Sequence, residues 1–291
     1  MPEDLRSLDV PIKYRELPAD VVEVRLEGAA EEARNEAVAR PRIEAVLKTC
    51  RLVLLQLEEL HRQYAELTDL DLVGYSRASA IWLLSGRQLG LLNALLVQAE
   101  AGICTETMIT GRAIHEAARV LFAFIVPGED KLVRLWLDDE GKYGYIKQGL
   151  ARAAQGRYEA ALAEAMSSRG LPAIASSAAL TEDMYDLLSR VAHSRRSSCV
   201  SSVSEAGRQM AYGRHPSAIH RADCAVWAAS MTTEVTLYVG DALQALYSKP
   251  NFFTEIILPL QKNIEAMRES APLDEASIRA AADTAGGPTD V

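Results

Sequence analysis

Three long stretches between residues 42 and 126 repeat apolar side chains at helical spacing, and no alternating strand pattern recurs anywhere in the chain. In residues 42–67 the apolar positions include Ile43, Val46, Cys50 and Leu54. Steps of three and four residues place side chains on one face of an α-helix. The chain is therefore predicted to be an all-α protein, a multi-helix bundle of about seven to nine helices.

The next helices have clear start and stop signals in the sequence. One is predicted over Arg77–Ala101, with Gly102 as its C-terminal cap. Another is predicted over Glu106–Val126 with Thr105 as its N-cap, and its apolar residues on most sides favour a central position in the bundle. A last long helix is expected to open at Pro216 and to run to about Tyr247.

The domain organisation follows from the weaker segments. Residues 1–30 are predicted to be irregular, with a short extended stretch at 21–26. A single helical domain is expected over 31–270, with its first helix interrupted at Pro41. Residues 271–291 are rich in small and polar side chains and are predicted to form a flexible C-terminal tail.

The bulk properties restrict the function classes. A net charge of −9 argues against a protein that coats nucleic acid non-specifically, since that needs many surface cations. The longest apolar zone, residues 81–97, is broken by Arg87, Gln88 and Asn93, so no membrane span is expected. The acidic N-terminus does not resemble a signal peptide. These features predict a cytoplasmic protein whose four scattered cysteines are reduced.

One segment opposes the global charge. Residues 185–221 contain two carboxylates but six arginines and three of the five histidines: Arg190, Arg195, Arg196, Arg208, Arg214, Arg221, His193, His215 and His220. Local positive charge in an acidic chain is typical of an anion site. If the arginines instead splay into solvent, the segment is only a solvated face.

The predicted start of the last long helix lies in this segment. Free N–H groups at a helix start attract anions, and Arg214 and Arg221 would add guanidinium groups suited to phosphate. His220 shares a helix face with Trp227, so it is expected to point inward or into a cleft, with Asp223 placed to orient its ring. The alternative is a core histidine with a satisfied hydrogen bond.

Two further polar groupings have competing interpretations. Tyr185, Ser189 and His193 are spaced four residues apart on a single helix face. They form either a binding site for a polar ligand or a row of polar side chains where two helices pack. The third predicted helix is interrupted by charged and polar side chains, which either form ion pairs at the bundle rim or line a polar pocket facing His193: Arg112, His115, Glu116 and Arg119.

Metal and cofactor signals are weak. Glu58-x-x-His61 is half of a di-iron carboxylate signature, and its required second half is missing. Neither a zinc-ligand spacing nor a glycine-rich phosphate loop occurs. No metal and no cofactor are therefore predicted.

Two fragments and the helix after them carry a family resemblance over roughly residues 77–247. They are the Arg112-x-x-x-Glu116-Ala helix and the Tyr185-x-x-x-Ser189-x-x-x-His193 helix. The chain resembles a poorly characterised bacterial helical family that is similar to the HEPN superfamily. By position, the resemblance makes these five the family's polar residues, with Arg112, Glu116, Tyr185 and Ser189 as ligand-binding candidates, and it implies a HEPN-like core.

HEPN ribonucleases use an arginine and a histidine with four to six residues between them, usually in a dimeric cleft. The resemblance implies metal-independent attack of an RNA 2′-hydroxyl on its own phosphate, with the histidine in proton transfer and the arginine on the phosphate. Arg208/His215 and Arg214/His220 have that spacing, whereas Arg190 lies too close to His193.

The leading hypothesis is thus a HEPN-like homodimer that binds RNA or another phosphate-bearing ligand, with or without cleaving RNA. Its catalytic candidates are Arg214, His220 and His193; Arg208, His215 and Arg221 would contact the ligand. A second hypothesis is a non-enzymatic helical scaffold that oligomerises or docks a protein partner. A third is a small-molecule enzyme with a bundle-core pocket lined by Glu58, His61 and His115.

Overall fold

The computed structural model describes residues 19–68, 70, 76–125, 133–134, 136, 160, 215, 217–244, 262 and 273–285. Within this part of the chain every regular element is an α-helix and no strand occurs. The all-α helical bundle is therefore confirmed. The full number of helices and a HEPN-like core stay predictions.

Five helices make up the described bundle. They are α1 (Ala19–Leu67), α2 (Arg77–Ala101), α3 (Cys104–Ile125), α4 (Ala218–Gln244) and α5 (Glu275–Ala285). The helix α2 has the predicted bounds. At its start the Ser76 side chain accepts from the Ser79 N–H at 3.0 Å. At its end Gly102 has φ 73° and lets Ile103 N–H reach the Gln98 carbonyl at 2.9 Å, a Schellman-type cap.

Side-chain pairs give the helix directions. Arg51 on α1 bonds Glu100 near the end of α2 at 2.7 Å, whereas Tyr64 bonds the Ala78 carbonyl at its beginning, so α1 and α2 are antiparallel. The short connection through Gly102 and Ile103 makes α3 antiparallel to α2. The helix α4 runs parallel to both α1 and α3.

Among the described helices, α4 is the central one. It packs against α1, α2 and α3, while α1 and α3 lie on opposite sides of the α2–α4 pair. Alanines on α4 are buried on several sides and let its neighbours approach closely: Ala218, Ala222, Ala225, Ala228 and Ala229. The expectation that α3 is central is wrong for this part of the chain, since Glu106, Ile109 and Glu116 are exposed.

The first helix differs from the prediction at two places. It begins at Ala19, so the expected extended stretch at 21–26 is helical, and it continues without interruption through Pro41. Pro41 is exposed, whereas Ala39 and Val46 on either side of it are buried. Burial of this apolar stripe before and after the proline outweighs the lost backbone hydrogen bond, since tertiary packing supplies most helix stability.

The C-terminal tail also contains a helix, contrary to prediction. Asp274 caps α5 by accepting from the Ser277 N–H at 2.9 Å. Ile278 and Ala282 are buried, and α5 packs on α1. The apolar spacing within an alanine-rich sequence was too sparse to predict this contact.

The helix α2 is the one described helix long and apolar enough to cross a membrane, judged by length and composition. Half of that apolar stretch is buried inside the bundle. A core helix has the same composition, and α2 packs against α1, α3 and α4. The absence of membrane contact stays a prediction.

The Gly102 cap can be tested against a second glycine. An alanine at Gly102 would have to adopt a left-handed conformation, so Gly102→Ala should lower the free energy of unfolding by roughly 1–2 kcal/mol. An added Cβ at helical Gly90 meets nothing within 4 Å, so Gly90→Ala should raise it by roughly 0.5–1 kcal/mol. Urea denaturation of both variants measures the two shifts. Equal effects of the same sign would contradict the assigned cap.

Candidate functional site

The start of α4 is held against the corner between α2 and α3. The His215 N–H donates to the Gly102 carbonyl at 2.8 Å, and His215 is buried. The Ser217 N–H donates to His215 Nδ1 at 3.2 Å. Ser217, rather than His215, caps the helix, because its carbonyl accepts from Arg221 N–H at 3.2 Å. The corner therefore positions the histidine that precedes the helix.

Two predicted histidines meet here. The rings of His215 and His220 stack with centroids 4.4 Å apart and planes inclined by 22°. His220 is half-buried, and its Nδ1 is buried without a hydrogen-bond partner among the described residues. Asp223 interacts electrostatically with His220 but does not hydrogen-bond that nitrogen, so its role in orienting the ring stays a prediction. Partial desolvation raises the pKa of Asp223, and the nearby His220 opposes this.

The protein's own carboxylates occupy the predicted anion positions. Glu32 on α1 accepts from the Ala218 N–H at the first turn of α4. Arg221 donates to Glu36, one turn further along α1, and to the His215 carbonyl. Burial lowers the pKa of Arg221, and the charge of Glu32 opposes that shift. Arg221 thus joins α1 to the His215 segment instead of facing solvent.

The third helix carries an ion pair and a buried histidine. Arg112 Nε and Glu116 Oε1 are 2.9 Å apart, with Glu116 exposed, which is the predicted rim pair. His115 points to α4, where its Nδ1 lies 2.7 Å from Glu234 Oε1. The His115 Nε2 is buried and has no partner among the described residues. Glu234 was not among the predicted site residues.

Other polar atoms are enclosed around this pair. Gln88 on α2 donates to the Ile114 carbonyl at 3.1 Å, and its Oε1 has no partner within the described helices. The Trp227 indole N–H is also buried without a partner in this part of the chain, and it lies directly against Gly111. A Cβ at Gly111 would come within 2.7 Å of Trp227 Nε1, so only glycine permits this contact between α3 and α4.

The histidine pair and the α3 ion pair lie at different levels of the bundle. Cys104 contacts the His220 carbonyl, and Gly111 contacts Trp227. Arg112 is therefore roughly two helical turns, on the order of 10 Å, beyond the His215–His220 pair. Arg112 and Glu116 can border an extended ligand, but they do not form one compact site with the two rings.

The di-iron interpretation finds no support at His61. Its Nε2 lies 2.8 Å from the Trp82 carbonyl, and its ring stacks on Trp82 with centroids 5.3 Å apart. Glu58 is exposed. Within the described residues, no three His, Cys, Asp or Glu side chains come together in a way that could hold a metal ion. His61 thus serves packing between α1 and α2.

Several predicted site residues lie outside the described residues: Tyr185, Ser189, His193, Arg208 and Arg214, together with Arg190, Arg195 and Arg196. The sequence interpretation also missed two features of the described part. Glu32 and Glu36 carry only the signal of an i, i+4 acidic pair, and nothing links them to Arg221 in the sequence. The proximity of Cys104 and Cys224 has no sequence signal at all, since 120 positions separate them.

The hydrogen bonds of Arg221 to Glu36 and to the His215 carbonyl should dominate the stability of the α4 start. The Arg221 side chain is 8% exposed and that of Glu36 30%, so Arg221→Ala leaves a partly buried carboxylate and a carbonyl without their donor. We expect a loss of roughly 2–4 kcal/mol in the free energy of unfolding. The matched control is Arg40→Ala, whose ion pair with Glu44 is exposed and should contribute less than about 1 kcal/mol. Equal losses of unfolding free energy in the two variants, measured by urea denaturation, would contradict this role of Arg221.

Comparison of the chain with protein-family models, with curated proteins and with solved structures found no match.

Proposed function

We propose that this chain is a HEPN-like helical protein that binds RNA, or another phosphate-bearing ligand, beside the start of α4 and cleaves RNA without a metal ion. The observation that supports the proposal is the stacked pair of imidazoles, His215 and His220. They lie at the C-terminal end of the arginine- and histidine-rich segment, and His215 directly follows Arg214 in the chain.

Two adjacent imidazoles suit the chemistry of RNA cleavage. Attack of the 2′-oxygen on the phosphorus needs a base that removes the hydroxyl proton. Departure of the 5′-oxygen needs an acid that supplies one. An imidazole does either near neutrality, because its unperturbed pKa is about 6.5. His215 Nδ1 accepts the Ser217 N–H, so in the neutral ring Nε2 carries the proton. His220 is the more exposed ring and is the proposed proton-transfer group.

The internal carboxylates define how phosphate would be held. Glu32 covers the first turn of α4 and Glu36 neutralises Arg221, so neither the helix start nor Arg221 is open to a phosphate. In the proposal, Arg214 and Arg208 contact the phosphate, and Arg221 positions His215 through its carbonyl. His193 remains a second proton-transfer candidate, and Arg112 and Glu116 border the ligand.

The test is cleavage of a mixed RNA pool by the EDTA-treated protein. His220→Gln should reduce the cleavage rate at least about 100-fold, since it removes a proton-transfer group. Cyclic-phosphate ends would identify the 2′-hydroxyl as the nucleophile. His193→Ala, measured beside it, decides whether that histidine is also needed.

The matched control is His61→Gln, which removes a histidine from the α1–α2 interface. This variant should cleave RNA at the wild-type rate. Arg214→Ala should weaken RNA binding, whereas Arg87→Ala, an exposed arginine on α2, should not. Undiminished cleavage and binding in His220→Gln and Arg214→Ala would refute the assignment.

A second candidate function, self-association or docking as a scaffold, is favoured by an exposed apolar face on α1. Leu52 and Leu55 are 54% and 58% exposed and lie one turn apart. They are roughly 24 Å along α1 from Glu36, and hence remote from the histidine pair. Removal of such side chains from water is a common driving force of protein association.

This candidate predicts an oligomer that a double substitution dissociates. If α1 mediates self-association, Leu52→Glu/Leu55→Glu should reduce the mass measured by light scattering to that of one chain, because two buried charges would oppose contact. Leu67→Glu, an exposed leucine at the end of α1, is the control and should leave the mass unchanged. A wild-type protein of single-chain mass would exclude the self-associating form.

A further inference from the structure

Two cysteines from distant parts of the chain meet at the start of α3 and α4. Cys104, the first residue of α3, has its Sγ 3.6 Å from the His220 carbonyl. In an α-helix that carbonyl accepts the N–H of the residue four positions later, which here is Cys224. The Cys104 sulfur therefore lies beside the backbone of Cys224, close enough for the two thiols to influence each other's ionisation.

The environments of the two sulfurs differ. The hydrogen bond with Cys224, together with burial, raises the pKa of Cys104. The same bond lowers the pKa of Cys224, where the Thr107 hydroxyl also favours the thiolate. Cys104 is half-buried, whereas Cys224 is 5% exposed. The pair therefore combines a sulfur that solvent reaches with a more deeply buried sulfur whose thiolate is the more favoured of the two.

The third described cysteine provides a contrast. Cys50 is fully buried, and burial raises its pKa to about 11. A thiol that is neither accessible nor ionised reacts slowly with oxidants. The described part of the chain thus contains one paired and partly accessible thiol site and one inert thiol.

We propose that Cys104 and Cys224 form a peroxide-sensitive dithiol that closes to a disulfide joining α3 to α4 beneath the His215–His220 pair. The thiolate of one cysteine attacks an oxygen of hydrogen peroxide and the O–O bond breaks, which gives a sulfenic acid and hydroxide; the hydroxide takes up the proton that the thiol had released and becomes one water. The second sulfur then attacks the first, the S–O bond breaks, and a second water leaves with the remaining thiol proton. Two thiols are oxidised and one peroxide is reduced.

The location of the bond gives it a structural effect. The Gly102 carbonyl oxygen accepts the His215 N–H, and the same oxygen lies 3.5 Å from Cys104 Sγ. A covalent link from Cys104 to α4 would close a chain loop of about 120 residues and restrict separation of the α2–α3 corner from the α4 start. The disulfide should raise the thermal midpoint by roughly 5–10 °C.

The experiment treats the full-length protein with hydrogen peroxide, blocks remaining thiols and maps peptides by mass spectrometry under non-reducing conditions. We expect a Cys104–Cys224 linked peptide, free Cys50, and a raised thermal midpoint that dithiothreitol reverses. A Cys199→Ser variant keeps the fourth cysteine from pairing and should give the same link. Since the mapping uses no nucleic acid, its result is independent of the proposed RNA activity.

Single substitutions test whether the disulfide forms through a sulfenic acid. In Cys104→Ser and Cys224→Ser, peroxide should leave a sulfenic acid that dimedone traps, with no rise in the thermal midpoint. Full alkylation of both cysteines after peroxide treatment, or a link to Cys199 or between chains in place of the internal one, would overturn the proposal. If a substitution prevents folding, the wild-type peptide map alone decides.

Discussion

The hydrogen bond from the His215 N–H to the Gly102 carbonyl joins two parts of the chain that are more than a hundred residues apart, and the candidate site depends on it. Gly102 can present that carbonyl because it adopts a left-handed conformation after the last turn of α2. The corner then sets where α3 begins and where the segment before α4 is anchored. Both histidine rings and Cys104 lie within five residues of this bond along the chain, and Cys224 lies one helical turn after His220.

Carboxylates on α1 then determine whether the start of α4 can bind an external anion. An isolated helix start next to an arginine would attract an external anion. Here Glu32 and Glu36 reach across from α1 and satisfy the first-turn N–H and the guanidinium of Arg221. A long α1 is necessary for this contact, since the same helix also packs against α2 through Arg51 and Tyr64. In the proposed function, contact with phosphate is therefore assigned to arginines other than Arg221.

Much of the helical framework could be predicted, and its departures have identifiable causes. Ser76 and Gly102 mark α2 because cap chemistry is local, so both bounds were correct. Pro41 was misinterpreted because its local cost is offset by apolar contacts with other helices, which the sequence does not show. The same holds for α5, where burial of Ile278 against α1 stabilises a short helix in a sequence of low complexity.

By itself, the sequence determined the helical character of the chain, the caps of α2, and the concentration of arginine and histidine before α4. These properties depend on the spacing and identity of neighbouring residues, which act over one or two helical turns. Only the tertiary structure decided that His215 stacks on His220, that Glu36 neutralises Arg221, and that Cys104 meets Cys224. Each of these contacts joins groups whose separation is set by how whole helices pack, and local spacing carries no information about that distance.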